Sequence, residues 1–316
     1  MQRVAALTPR MAELLERIRR AGAPPLYALP LLEARSAYQE RSEVLELPRA
    51  PLHEVRELHI PAADGTPLAA RLYRPAGSTL PALLYLHGGG FTIGNLETHD
   101  SLCRQLALRS GAAVVALDYR LAPEHRFPTA VDDSYAALRW LAGEGAGSLG
   151  IDARRLAVGG DSAGGTLSAV CAILARDDSL PLRHQLLITP GPESFPDTTS
   201  PRLYASGYLL EAEGIEWFFR HYIEPHQRDD WRFAPLRADD LHGVAPACML
   251  LAECDPLVDE GVAYADRLRA AGVPIDFDLV RGVTHDFIKL GRVLPEAEDA
   301  QRYAAASIRR ALFDGD

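Results

Sequence analysis

The chain has 316 residues, 47 % hydrophobic and 24 % charged, with a formal net charge of −10; it is long enough to bury a large core without disulfide or metal staples. The acidic balance argues against a nucleic-acid partner, which needs a basic face, and no apolar run approaches the ~20 residues of an integral membrane segment. Of 33 Lys and Arg residues only Lys289 is a lysine; it stands neither in a Gly-Lys-Ser/Thr phosphate loop nor three residues after a serine, and any Schiff-base chemistry would rest on it alone.

The first 50 residues predict helix followed by a proline-broken segment. Thr8 can cap, Pro9 suits a first helical position, and Leu7, Met11, Leu14, Leu15 and Ile18 recur at helical spacing. Charges are scattered through this stretch with no apolar secretory core, so a cytoplasmic location is expected. Cys103, Cys171, Cys248 and Cys254 show no C-x-x-C spacing and fit buried thiols of a reducing compartment.

From about residue 52 strands and helices alternate. Residues 57–61 and 69–73 predict an antiparallel pair around Asp64-Gly65. Short apolar runs at 81–86, 113–117, 156–159, 185–189, 248–252 and 275–280 predict strands covered on both faces, with helical patterns between them, as at 132–141 and 264–271. This is an α/β chain with a mostly parallel sheet and helices on both faces, whose ligand site lies beyond the carboxyl ends of the strands. Residues 190–235 break the alternation. They predict an insertion that, with cap helices over 1–50, covers the strand ends of a catalytic domain at 51–316.

Gly160-Asp161-Ser162-Ala163-Gly164 follows one apolar strand and opens a helix. In that setting Gly-x-Ser-x-Gly is a nucleophile elbow: the serine is strained and exposed, and side chains two residues to either side would collide. His87-Gly88-Gly89-Gly90-Phe91 follows another strand. Its glycines let backbone N–H groups approach a developing oxyanion, each donor stabilising the transition state by roughly 3–4 kcal/mol. The amides of Gly89, Gly90 and Ala163 are assigned to that role, Gly88 to the supporting loop, and His87 to holding the loop rather than to acting as base.

Ser162 needs a base, and the base an orienting acid, in the chain order Ser, acid, His. His285 follows the last strand and satisfies that order; His184, His221, His226 and His242 do not fit it. Asp255 at the end of the preceding strand is the chosen acid, with Glu253 and Asp259 as competitors. Phe91, Tyr208, Leu209, Trp217 and Phe218 are candidate pocket walls. No metal ligand set is proposed.

Five motifs in this order, HGGGF at 87–91, DYRLAPEHRFP at 118–128, GDSAGG at 160–165, AECDPLVDEG at 252–261 and GVTHDF at 282–287, resemble the bacterial hormone-sensitive-lipase-like esterases, family IV of the lipolytic α/β hydrolases. The resemblance covers nearly all of the chain after residue 55. It implies the α/β-hydrolase fold, a Ser162–Asp255–His285 triad, an oxyanion hole at Gly89, Gly90 and Ala163, a helical cap, and cofactor-free hydrolysis of short- to medium-chain acyl esters. The DYRLAPE stretch, family-typical, reads as a salt-bridged turn around Arg120 and Glu124.

Two features depart from the family pattern: Asp286 stands where glycine commonly follows the histidine, and Thr189-Pro190-Gly191 replaces the more frequent Tyr-Pro. The expected activity is that of a carboxylesterase on a small ester. An amidase, lactonase or deacetylase on the same triad, and a non-catalytic binding protein on the same fold, are the alternatives. A homodimer is among the assemblies the sequence allows. Lys289 falls near the expected pocket mouth, where exchange for arginine should leave turnover nearly unchanged.

Overall fold

The structure, a computed structural model, describes residues 5–194 and 197–314; residues 195 and 196 of the expected insertion lie outside it. Two helices lead, α1 (Pro9–Ala21) and α2 (Leu31–Leu45). Thr8 caps α1 by accepting from the Met11 N–H at 3.3 Å, and Gly22, at φ 63°, ends it in the left-handed region that glycine adopts freely. The elements that follow are β1 (Glu54–Pro61), β2 (Pro67–Arg74), β3 (Leu80–Leu86), α3 (Asp100–Ser110), β4 (Ala113–Leu117), α4 (Thr129–Ala142), α5 (Glu144–Leu149), β5 (Ile151–Asp161) and α6 (Ala163–Asp177). The chain continues through β6 (Leu182–Ile188), α7 (Ser200–Leu203), α8 (Ala212–Tyr222), β7 (Ala247–Cys254), α9 (Val258–Ala270), β8 (Ile275–Thr284) and α10 (Pro295–Phe313).

The eight strands form one sheet in the order β1-β2-β4-β3-β5-β6-β7-β8. The β1–β2 and β2–β4 pairs are antiparallel and all the others parallel. Every residue of β3 and β4 is buried, as a central strand covered on both faces requires. Alternate residues of β3 feed opposite cores. Ala82, Leu84 and Leu86 pack with α4, α6 and α9 on one side, whereas Leu83 and Tyr85 pack with α1, α3 and α10 on the other.

Element ends differ from the sequence reading where pairing overrides composition. β5 starts at Ile151, which pairs with Leu80. β8 runs on through Gly282-Val283-Thr284, with Thr284 opposite Cys254, so the segment expected as loop is strand and delivers His285 directly. A third, smaller apolar cluster joins Ala34 and Tyr38 of α2, Ile93 of the glycine loop and Trp217 of α8. All four cysteines are buried free thiols. No helix among the described residues is long and apolar enough to cross a membrane.

Candidate active site

Four strand ends converge on one edge of the sheet: β3 leads into His87–Phe91, β5 into Ser162, β7 into Asp255 and β8 into His285. Ser162 has φ 53° and ψ −121°, a strained conformation for a residue with a side chain. The residues two positions to either side, Gly160 and Gly164, must be glycine. A Cβ on Gly160 would lie 2.2 Å, and one on Gly164 1.9 Å, from the Leu86 carbonyl oxygen. The serine's own N–H donates to Ile188 O at 2.8 Å, which fixes the elbow to β6.

Ser162 Oγ lies 2.9 Å from His285 Nε2, and His285 Nδ1 lies 2.7 Å from Asp255 Oδ2. The carboxylate can only accept, so Nδ1 carries the proton and Nε2 is left to accept from the serine hydroxyl. The second Asp255 oxygen accepts from the Leu257 N–H at 2.9 Å. Burial works against a charged His285 ring, but the charge and hydrogen bond of Asp255, with Asp286 and Asp161 behind them, outweigh it and raise the imidazole to about 9. The competing acids are occupied elsewhere. Glu253 accepts from the Gly282 N–H at 2.9 Å, and Asp259 accepts from Thr199 and Ser200 N–H groups at 3.0 and 2.8 Å.

The glycine loop is held from beneath. Asp161 is 1 % exposed. Its Oδ1 accepts from Tyr85 Oη at 2.6 Å and from the Gly88 N–H at 3.2 Å, and its Oδ2 is 3.1 Å from His99 Nε2. Burial would raise the Asp161 carboxyl, but His99 and these hydrogen bonds hold it well below the usual carboxylate range. His87 stacks on Tyr119 with ring centroids 4.3 Å apart, and its Nδ1 donates to Gly88 O at 2.8 Å. Burial and the nearby His99 push it down to about 3, so it stays neutral. Among the described residues the N–H groups of Gly89, Gly90 and Ala163 have no hydrogen-bond partner. Gly89 and Gly90 have φ 119° and 56°, and a Cβ on Gly90 would stand 2.2 Å from the Phe218 ring. Sequence reasoning missed Asp161 and His99; an aspartate directly before the elbow serine, on a buried strand end, was the available signal.

A cavity of about 50 Å³ opens on Ser162, between Gly90, Phe91, Ala163, Leu210, Ile215, Phe218, Phe219 and Phe233. Of the expected walls only Phe91 and Phe218 line it. Trp217 turns away to pack on α2, because neighbours on a helix face different sides. Tyr208 packs edge-on to Tyr204, 5.0 Å between ring centroids, and Leu209, at φ 70°, is exposed. Two further expectations are corrected. Arg120 pairs with Asp133 and Asp64 at 2.6 and 2.8 Å, while Glu124 pairs with Arg35 of α2 at 2.7 Å, so the turn braces other elements rather than itself. Lys289 is 4 % exposed and not at the pocket mouth.

A Ser–His–Asp chain of contacts at the carboxyl ends of a mostly parallel sheet is the arrangement of the α/β hydrolases. Residues 83–289 match the family described as alpha/beta hydrolase fold. The chain belongs to that family, in its hormone-sensitive-lipase-like branch. It is 44 % identical over 308 residues to the ethyl acetate hydrolase of Pseudomonas putida, covering 93 % of this chain and 96 % of that one. An ester-hydrolase from the metagenome of Lake Arreo, solved in complex with a bipyridine phosphonate derivative, superposes with a TM-score of 0.92 at 41 % identity, over 96 % of this chain and 98 % of that one. A thermostable esterase from Pseudomonas putida superposes with a TM-score of 0.93 at 34 % identity, over 97 % and 98 %. The protein is a carboxylic ester hydrolase.

Proposed function

We propose that Ser162 is the nucleophile, His285 the general base and acid, Asp255 the orienting acid, and that the Gly89, Gly90 and Ala163 amides form the oxyanion hole, acting on short-chain acyl esters. The observation that carries this reading is the unbroken 2.7 and 2.9 Å contact chain from Asp255 through His285 to Ser162, ending at a cavity. In the first half-reaction Ser162 Oγ attacks the ester carbonyl as His285 Nε2 takes its proton. The oxyanion rests on the three N–H groups, at the start of α6 where the helix dipole also favours negative charge. The tetrahedral adduct collapses, the alkoxide leaves with the proton from Nε2, and the acyl group stays on Ser162. Water then attacks the acyl-enzyme with Nε2 again as base, releasing the acid and restoring the serine. Asp255 keeps Nδ1 protonated and stabilises the imidazolium.

Cavity size bears on chain length. At roughly 10–15 Å³ per water-sized group, about 50 Å³ accommodates a few heavy atoms, which suits an acetyl-to-butyryl chain. The 1–50 and 190–235 segments act as a cap, a role supported by the apolar cluster that α2 and α8 share with the glycine loop. A cytoplasmic location fits the four buried free thiols. A homodimer fits the position of β8 at the end of the sheet, and sedimentation would test it.

A series of p-nitrophenyl esters from acetate to decanoate tests the function. The reading expects kcat/KM to peak at two to four acyl carbons. Absence of turnover across the series by folded protein would refute it.

A further inference from the structure

The one lysine takes no part in the proposed acyl transfer, yet it is placed beside it. Lys289 closes the short 3-10 turn Phe287–Lys289 that follows His285. Its ammonium donates to Tyr38 Oη at 2.6 Å, reaches Ser42 Oγ at 3.4 Å, and lies 4.4 Å from the centre of the Tyr38 ring. Tyr38 and Ser42 both belong to α2. Arg292, just beyond the turn, fastens the same helix end: its N–H donates to Leu45 O at 3.1 Å and its guanidinium to Glu46 O at 2.5 Å. Earlier along α2, Arg35 donates to Thr92 O at 3.0 Å, and Gln39 accepts from Asn95 Nδ2 at 2.8 Å. One helix therefore grips both the turn that carries His285 and the loop that carries the Gly89 and Gly90 amides.

The groups facing this junction are Asp255 from the end of β7, Asp161 from the end of β5, Tyr38 of α2, and Glu46, which caps that helix. His87 and His99 come from the glycine loop and the turn after it, and Asp286 and Lys289 from the histidine turn itself. Burial pushes Glu46 up to about 8 and leaves it largely neutral. Burial also works against the Lys289 charge, but the contact with Tyr38 and the Asp286 and Asp161 carboxylates hold it well above the ordinary lysine range. Asp286 and Asp161 are thus counter-charges to Lys289, and the same two carboxylates help raise His285. Asp286 sits at φ 62°, left-handed backbone that glycine adopts more readily. The chain keeps a carboxylate there despite that strain.

We propose that Lys289 is a positioning residue for His285: its buried ammonium ties α2 to the histidine turn and offsets the Asp286 and Asp161 charges that the imidazole would otherwise feel in full. This rests on the reading of Ser162, His285 and Asp255 as catalytic. It also gives a physical reason for the lone lysine in a chain that uses arginine at every other cationic position. Two hydroxyls suit a compact ammonium, whereas a flat guanidinium brings five donors that this site does not satisfy.

The test is the pH dependence of kcat/KM for p-nitrophenyl acetate in wild type and four variants: Lys289→Met, Asp286→Asn, the double variant, and Lys289→Arg. Lys289→Met should move the acid limb up by about 0.5–1 pH unit, and Asp286→Asn should move it down by a similar amount, as the loss of one partly screened unit charge from this buried junction should do. The double variant should return close to wild type. Lys289→Arg, which keeps the charge, should leave the limb in place while lowering kcat. Should Lys289→Met alone not fold, the double variant against Asp286→Asn gives the same comparison, and the limb must rise. An unmoved limb in a folded Met variant overturns the proposal. So does failure of both Met variants to fold, which would make Lys289 a stability residue only. If wild type itself does not hydrolyse the ester, the catalytic reading fails instead.

Discussion

Asp255 Oδ2 lies 2.7 Å from His285 Nδ1, whereas Asp286, adjacent to that histidine in sequence, lies 4.0 Å from its other nitrogen. Only the first contact fixes the tautomer that leaves Nε2 free to accept the serine proton. Asp255→Asn should therefore lower kcat by about 10⁴-fold. Asp286 is about one-third exposed and its charge is partly screened, so Asp286→Asn should change kcat by no more than about tenfold. Steady-state kinetics of the two variants decide between the acids; a reversed ranking would make Asp286 the orienting group.

Activity and stability should move in opposite directions with pH. His285 must be neutral to act, and its imidazole is raised to about 9, so kcat/KM should climb well past the ordinary histidine range of ~6.5. A raised folded value means that the native state binds the proton more tightly than the unfolded chain. That stabilisation is fully present below ~6.5 and is lost as pH rises through about 9. Glu46, raised to about 8, adds a loss of the same sign as pH climbs from the ordinary carboxyl range. Thermal melts beside the rate profile check this; an acid limb at or below 6.5 would contradict it.

Phe218 packs on Gly90 and closes one wall of the cavity. Phe218→Ala should shift the preferred acyl chain to longer members of an ester series while acetate turnover falls. Unchanged selectivity would place the acyl group elsewhere. Gly164→Ala, whose Cβ would meet Leu86 O at 1.9 Å, should abolish activity on short and long esters alike.

Asp161 joins the elbow to the glycine loop through Gly88, Tyr85 and His99. Hydrogen bonds to a charged group contribute about 1.5–3 kcal/mol each. Asp161→Asn, which keeps the shape and loses the charge, should lower the urea midpoint and reduce kcat more than KM rises. Wild-type stability and kcat in this variant would show that the network adds nothing to the loop.

The chemistry was legible where local rules are strict. The elbow around Ser162 and the glycine loop stand out because only glycine fits beside Leu86 O and at the positive φ angles of Gly89 and Gly90. The sheet was legible because β3 and β4 are buried on both faces and therefore uniformly apolar. What long-range packing decides was not. Trp217 and Phe218 are neighbours of similar chemistry, and only the docking of α8 on α2 determines which one faces the cavity. The partners of Arg120, Glu124 and Lys289 lie on distant elements, and no spacing rule reports them. The extension of β8 to Thr284 depends on pairing with Cys254 rather than on composition.

Covalent labelling addresses the role of Ser162 most directly. An aryl alkylphosphonate should inactivate the enzyme with a stoichiometry of one, and peptide mass spectrometry should place the phosphonyl group on Ser162, with no labelling of Ser162→Ala. Labelling of a different residue, or full activity after Ser162→Ala, would contradict the account.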